Sequence, residues 1–132
     1  MGPYNWLPMG RDLTIRLTAD RPGELARVVE TLSRSGVNIE GLTEVDGTVH
    51  VLARDPSAAR SALRAGGYTI DGELEVLVLP MPDRPGELSM IMQRLADASV
   101  NLRFVYLATD TRVVIGADDI TRARAALEPA RN

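Results

Sequence analysis

The residues best suited to chemistry lie in one six-residue motif that the chain contains twice. Residues 20–25 and residues 83–88 both read Asp-Arg-Pro-Gly-Glu-Leu, and each copy is followed by apolar residues at helical spacing. The free N–H groups and positive dipole of a helix N-terminus attract a carboxylate. The glycine lets a ligand approach the backbone closely, and the aspartate can accept hydrogen bonds from an ammonium group. The motif therefore indicates binding of a small zwitterion.

Each residue type in the motif also has a structural interpretation. The aspartates can cap the helices, and Pro-Gly is typical turn geometry. The arginines can pair with the glutamates three residues later, an exposed arrangement that contributes little stability. Both interpretations stay open on the sequence alone.

Three further polar residues are candidates outside the motif. Asn38 and Asn101 occupy equivalent positions after the two motifs. Their amides can donate to and accept from a zwitterion, or they can satisfy backbone groups at a helix–strand corner. The single histidine, His50, has no serine or aspartate beside it in the sequence, so we expect a structural or solvent-facing role.

Composition excludes several kinds of site and partner. The 132 residues contain no cysteine and one histidine, which excludes disulfides and thiolate or multi-histidine metal sites, and we expect no cofactor. Lys+Arg is 15, Asp+Glu is 18 and aromatic residues make up 4%, so the features of a nucleic-acid binder are lacking. The longest apolar run, residues 76–81, is too short for a membrane span, and no signal-peptide pattern is present. We therefore expect a cytoplasmic, soluble protein with no nucleic-acid or membrane partner.

Apolar periodicity places the motif in a repeated unit of about sixty residues. In the first copy, alternation predicts a strand over residues 13–18, and helical spacing predicts a helix that ends at Ser35-Gly36. A hairpin around Asp46-Gly47 and a helix that begins at Pro56 follow, with a short last strand at residues 68–70. The residues of the first helix expected to face the core are Leu25, Val28, Val29 and Leu32.

The second copy follows the same order with an offset of 63 residues, but it has no last strand. The sequence thus predicts an α+β fold of two ferredoxin-like βαββαβ units in tandem, the second lacking its last strand, with an antiparallel sheet and the helices on one face. The expected division is an N-terminal peptide (1–11), a first unit (12–71) and a second unit (72–132).

The missing strand would expose an apolar sheet edge, which proteins normally cover or pair. Because Asp71-Gly72 is a strong hairpin signal, we expect the last strand of the first copy to turn there and pair with the first strand of the second copy. That pairing would make one seven-stranded sheet. The alternative is two separate sheets joined at another edge.

The first strand of the second copy is apolar on both faces. The offset predicts that Val76 and Val78 face the helices and leaves Leu77 and Leu79 on the opposite face. A strand that is apolar on both faces is normally covered on both, and only the N-terminal peptide remains for that purpose. We therefore expect a second chain to pack on this sheet in a homodimer.

The succession of strand, Asp-x-Pro-Gly-x-Leu, amphipathic helix, Val-Asn-(Ile/Leu) and hairpin resembles the ACT domain, a small-molecule-sensing module named after enzymes of amino-acid biosynthesis. The resemblance covers residues 12–128 in two copies, and this chain is similar in length to free-standing tandem ACT proteins. It implies a non-catalytic regulatory protein that binds an amino acid, with a metabolic enzyme as a possible partner.

The resemblance also implies a location for the ligand. It would lie at the loops between the first strand and first helix of each unit and at an interface between units or chains. The residues implied to bind are Asp20, Arg21, Pro22, Gly23, Glu24, Leu25, Asn38 and Ile39 in the first copy, and Asp83, Arg84, Pro85, Gly86, Glu87, Leu88, Asn101 and Leu102 in the second.

Two functions of other classes compete with this interpretation. The apolar second face of the second copy fits a ligand-independent dimerisation or interaction module. An acylphosphatase-like hydrolase shares the βαββαβ order, and Arg21 and Asn38 would then hold a phosphate. Against the hydrolase, Pro22 removes a backbone donor from the loop and no glycine-flanked phosphate cradle is present.

Overall fold

The computed structural model of the chain describes residues 9–19 and 21–128. Two compact units are present: the first unit contains residues 11–74, and the second unit contains residues 75–128 with Met9 and Gly10. The elements are β1 (Met9–Arg16), α1 (Glu24–Arg34), β2 (Ile39–Val45), β3 (Thr48–Ala53), α2 (Pro56–Ala65), β4 (Ile70–Pro80), α3 (Glu87–Asp97), β5 (Leu102–Ala108), β6 (Arg112–Ala117) and α4 (Ile120–Leu127). An α+β chain with antiparallel strands is thereby confirmed.

The first unit contains the predicted hairpin. β2 and β3 pair antiparallel, and Asp46 and Gly47 between them adopt φ of 49° and 85°, the left-handed region that a two-residue hairpin turn requires. β1 pairs antiparallel with β3 and places Thr14 opposite His50. The strand alternation puts Leu13 and Ile15 of β1 into a core shared with both helices.

Each helix of the first unit buries only a few residues against this core. Val28 and Leu32 of α1 are fully buried, whereas Val29 is 37% exposed, so the prediction that Val29 faces the core is wrong. Val28 and Leu32 are four residues apart and lie on the buried face of the helix, and Val29 lies at the edge of that face. For α2 the predicted start is confirmed, because Asp55 caps it by accepting from the Ala58 N–H at 3.1 Å, just before Pro56.

The second unit repeats these pairings. β4 and β5 both pair antiparallel with β6, and α3 and α4 contribute Leu95, Ala123 and Leu127 to its core. Met9 packs against the same core, so the beginning of β1 belongs to the unit that lacks a last strand of its own.

β4 is one continuous strand of 11 residues, from Ile70 to Pro80. The predicted hairpin at Asp71-Gly72 is therefore wrong, and so is the seven-stranded sheet that depended on it. Neither residue adopts the positive φ that such a turn requires. The short strand expected at residues 68–70 begins only at Ile70 and continues past the predicted turn, with exposed carboxylates at alternate positions of its first half.

The predicted faces of β4 are also reversed. Leu77 and Leu79 share a core with Leu95 of α3, so these leucines face the helices instead of Val76 and Val78. The segment between strand and motif is one residue shorter in the second copy than in the first, and a shift of one residue exchanges the two faces of a strand. Aligning the two copies on the motif therefore assigns the wrong face of β4 to the helices.

Residues 76–79 of β4 and residues 113–117 of β6 are buried on both faces of the strands within a single chain. Val76, Val78 and Val114 lie outside the helix-side core, and at most 3% of each is exposed. The apolar second face consequently gives no reason for a second chain, and the homodimer stays a prediction. The proposed cover by the N-terminal peptide falls on residues 1–8, outside the described residues.

A bidentate ion pair joins α2 to β4. Arg60 donates from Nε and Nη2 to the two carboxylate oxygens of Glu73, the second at 2.9 Å. The hydrogen bond from Arg60 lowers the pKa of Glu73, and the charges of Arg60, Arg11 and Arg64 act in the same direction, while desolvation opposes them. Glu73 is thus held in its ionised form.

We expect Glu73→Gln to flatten the acid dependence of stability. A carboxylate whose pKa is lower in the folded chain stabilises the fold above its unfolded pKa of about 4.3, and this contribution is lost as the pH falls through the folded pKa. Urea titrations should show the largest difference between wild type and variant near neutral pH and almost none in acid. Asp71→Asn, on the same strand, is the control. A difference for Glu73→Gln that does not vary with pH would contradict this assignment.

Candidate functional site

The first motif lies at one end of the first unit, where the chain turns from β1 into α1. We call this turn, residues 17–25, the first corner, and the equivalent turn of the second unit, residues 81–88, the second corner. β1 ends at Arg16, and α1 begins at Glu24 after Gly23, which is the N-cap residue with φ of 90°. The Leu17 N–H donates to the Gly47 carbonyl at 2.7 Å, so the turn between β2 and β3 lies against the start of the loop. Asp20, the first residue of the motif, lies outside the described residues.

The N-terminus of α1 has no cap from the side chain of its N-cap residue. The same is true of α3, where Gly86 is the N-cap, again with φ of 90°. By contrast, Asp55 and Asp119 cap α2 and α4. The interpretation of Asp83 as a helix cap is therefore wrong, because the glycine occupies that position and Asp83 is exposed. The motif helices begin with N–H groups that no aspartate at the cap position satisfies.

A cleft of about 750 Å³ opens at the first corner. Its walls come from the end of β1, the loop, the beginning of α1 and the turn between β2 and β3. Four charged residues contribute to its surface, two cationic and two anionic. The lining residues are Arg16, Leu17, Ala19, Arg21, Gly23, Leu25, Glu44, Val45, Asp46 and Gly47.

The arginines of both motifs turn back onto the first helical turn. Arg21 Nη2 lies 3.2 Å from Glu24 Oε1, and Arg84 Nη2 lies 2.5 Å from Glu87 Oε1. The structural interpretation of the arginines is thereby confirmed. Glu24 itself is buried, with 7% of its surface exposed, so in the first unit this pair also neutralises a carboxylate at the edge of the core.

The predicted asparagines lie at the other end of their units. Asn38 is exposed, and its carbonyl accepts from the Arg54 N–H at 3.1 Å. Asn101 donates from Nδ2 to the Asp118 carboxylate at 2.7 Å, and its backbone carbonyl accepts from the Asp118 N–H. Its side chain therefore bonds an acidic side chain and not the local backbone.

This placement separates residues that the sequence grouped together. Five residues of β2, 39–43, lie between Asn38 and the cleft residue Glu44, so Asn38 and Glu44 are separated by roughly 20 Å of extended chain. Arg21 and Asn38 therefore do not meet within the unit, and the phosphate site of the hydrolase alternative is not formed there.

The remaining predicted residues are structural or exposed. Ile39 and Leu102 begin β2 and β5 and pack against the cores of their units, as does Leu25. Pro22 and Pro85 are exposed, and Leu88, the counterpart of Leu25, is 38% exposed.

Sequence reasoning missed a polar cluster around His50. Asp12 is completely buried, and its Oδ1 accepts from the Thr14 hydroxyl at 2.9 Å and lies 3.0 Å from His50 Nδ1. The Thr14 hydroxyl is also 3.2 Å from that same ring nitrogen. The acidic partner of His50 is thus a residue 38 positions away in the sequence. The pairing of β1 with β3, which the predicted fold contained, was the signal that could have revealed the cluster.

The arrangement of this cluster is structural. In a nucleophilic triad one ring nitrogen faces the nucleophile and the other faces the acid, whereas here Asp12 and Thr14 share Nδ1. Within residues 9–19 and 21–128, no three histidine or acidic side chains are grouped as metal ligands. No helix of the described segments is long and apolar enough to span a membrane.

Comparison with curated proteins finds similarity to part of an aspartokinase. No family model matches the sequence. The chain is 35% identical over 75 residues to an aspartokinase of Corynebacterium efficiens, a match that covers 57% of this chain and 18% of that protein. The match thus covers less than a fifth of this curated relative's length.

Solved structures share the fold at low sequence identity. A Bacteroides thetaiotaomicron protein matches with a TM-score of 0.66 and 20% identity, covering 92% of this chain and 86% of its own. The regulatory subunit of aspartate kinase from Thermus thermophilus, in its ligand-free form, matches with a TM-score of 0.63 and 17% identity, covering 96% of both chains. The α+β fold is therefore one that regulatory domains of aspartate kinase also have.

We expect Thr14→Val to destabilise the first unit by about 1–3 kcal/mol, because it removes the hydroxyl that a buried carboxylate accepts from and keeps the side-chain shape. Thr31→Val is the control, since the Thr31 hydroxyl donates to a carbonyl on an exposed helix surface. Its effect should stay within about 0.5 kcal/mol. Equal free energies of unfolding for the two variants in urea would show that the cluster does not stabilise the fold.

Proposed function

We propose that this chain is a non-catalytic regulatory protein of two ACT-like units that binds an amino acid. The ligand occupies the cleft of the first unit, at the beginning of α1. The observation that carries the proposal is the cleft of about 750 Å³ formed around the first motif. Its volume lies in the usual range for small-molecule sites, roughly 300–1,000 Å³.

The chemistry of the cleft supports a zwitterionic ligand. The helix dipole and the first-turn N–H groups of α1 attract a carboxylate, and Gly23 brings no side chain between the ligand and the backbone. Glu44 near the end of β2 and Asp46 in the turn that follows also line the cleft, and they carry the charge that an ammonium group prefers.

The regulatory part of the proposal is supported by similarity. The solved structures with this fold include a regulatory subunit of aspartate kinase, and the curated relative is an aspartokinase. We infer that the chain acts on a metabolic enzyme, as a homodimer, and that amino-acid binding controls that interaction.

A ligand-independent interaction module is the second candidate. The second unit exposes three large apolar side chains, Leu88 at 38%, Met90 at 54% and Leu107 at 62%. Exposed apolar side chains of this size fit contact with another protein. Under this alternative no amino acid would change the stability of the chain.

We expect at least one of the twenty amino acids to raise the melting temperature of the full chain. A ligand at a hundred times its Kd adds about 2.7 kcal/mol to the free energy of unfolding, which is a large shift for a protein of this size. Thermal unfolding in the presence of each amino acid is the measurement. If none of them raises the melting temperature, the sensor function is excluded and the interaction module is favoured.

Filling the cleft should abolish the stabilisation. Ala19 lines the cleft, so Ala19→Leu places a larger side chain in the space of the ligand and should weaken binding at least about tenfold, or 1.4 kcal/mol. Ala26→Leu adds the same side chain on an exposed position of α1 and is the matched control. Equal Kd values for both variants in calorimetry would place the ligand elsewhere.

A further inference from the structure

The two corners can be compared residue by residue because the same hydrogen bond occurs in both. Leu17 N–H donates to Gly47 in the first unit, and Met81 N–H donates to Thr111 in the second, at 2.7 and 2.8 Å. Both corners also begin a helix at a left-handed glycine without a side-chain cap. Their difference lies in the hairpin that faces the helix.

In the first unit the hairpin supplies an acidic residue on the helix side. Glu44 pairs across the ladder with Val49, a fully buried core residue. Because paired residues point to the same face of a sheet, Glu44 lies on the face that carries α1. Its Oε2 accepts from the Gly47 N–H at 2.7 Å, which fixes the carboxylate at the cleft and leaves further acceptor positions for a ligand.

In the second unit the equivalent residue is apolar. Leu107 pairs with Val113, a fully buried core residue, and is 62% exposed. In the turn, Asp110 occupies the place that Asp46 has in the first unit, directly before the residue whose carbonyl accepts the shared hydrogen bond. Arg112, the first residue of β6, donates to the carbonyl and hydroxyl of Thr109. The second corner thus keeps the helix N-terminus and an acidic residue in the turn, but it has an apolar side chain at the strand position where the first unit has the Glu44 carboxylate.

We propose that Glu44 binds the ammonium group of the ligand and thereby restricts zwitterion binding to the first unit, with one site in each chain. The inference rests on the proposed function and makes it more specific. A ligand must carry a free ammonium group together with its carboxylate, because the N-terminus of α1 attracts the carboxylate and Glu44 attracts the ammonium group. The second motif then has a structural role, and its residues 83–88 are not part of a ligand site.

Calorimetric titration of the full chain with each of the twenty amino acids, and with the N-acetyl derivative of each one that binds, tests this specificity. We expect one ligand bound per chain and a loss of affinity of more than about tenfold on acetylation, because acetylation removes the charge and a charge-assisted hydrogen bond. Two ligands per chain, or acetylated ligands that bind equally well, would overturn the inference while the proposed function stands. Absence of binding by any amino acid would instead remove the proposed function.

Variants at the two equivalent hairpin positions separate the units. Glu44→Gln keeps the side-chain length and should raise the Kd by about tenfold or more, and thermal unfolding without ligand checks that it folds. Leu107→Gln introduces the same amide in the second unit and should leave the Kd unchanged. Unchanged binding by Glu44→Gln, or an equal loss in both variants, would contradict the assignment of the ammonium site to Glu44.

Discussion

The corner of each unit depends on one backbone constraint, the left-handed conformation of the glycine that precedes the helix. Gly23 and Gly86 both adopt φ of 90°, and a side chain in the left-handed region costs roughly 1–2 kcal/mol. A Cβ at either position would meet no atom within 4 Å. Glycine is therefore required by the backbone conformation and not by a lack of space. The conformation turns the chain sharply into the helix and leaves its first N–H groups without a side-chain cap from that residue.

Duplication preserved this constraint but not the chemistry around it. The two units share strand pairing, helix order and the hydrogen bond from strand end to hairpin turn. Their hairpins differ, with Glu44 in one and an exposed Leu107 in the other. A repeated motif therefore indicates a repeated fold, whereas the binding chemistry depends on residues that lie outside the motif and meet it only in three dimensions.

Local signals predicted the elements well, and non-local relations were missed. The hairpin at Asp46-Gly47 and the start of α2 at Pro56 follow from the chemistry of a few adjacent residues. The turn expected at Asp71-Gly72 failed because β4 continues through it as an alternating strand. The cluster of Asp12 and His50 depends on strand register, and the place of Glu44 at the cleft depends on the approach of the hairpin to the loop. Neither relation is contained in a short stretch of sequence.

The central claim is that an amino acid binds in the cleft of the first unit. The most direct measurement is a two-dimensional NMR titration of the ¹⁵N-labelled chain with the amino acid that stabilises it most. The account predicts that the backbone amide signals of Arg21, residues 23–25 and residues 44–47 shift together and saturate at the same ligand concentration. Saturable shifts confined to residues 84–88 and 107–111, with the first set unchanged, would contradict it.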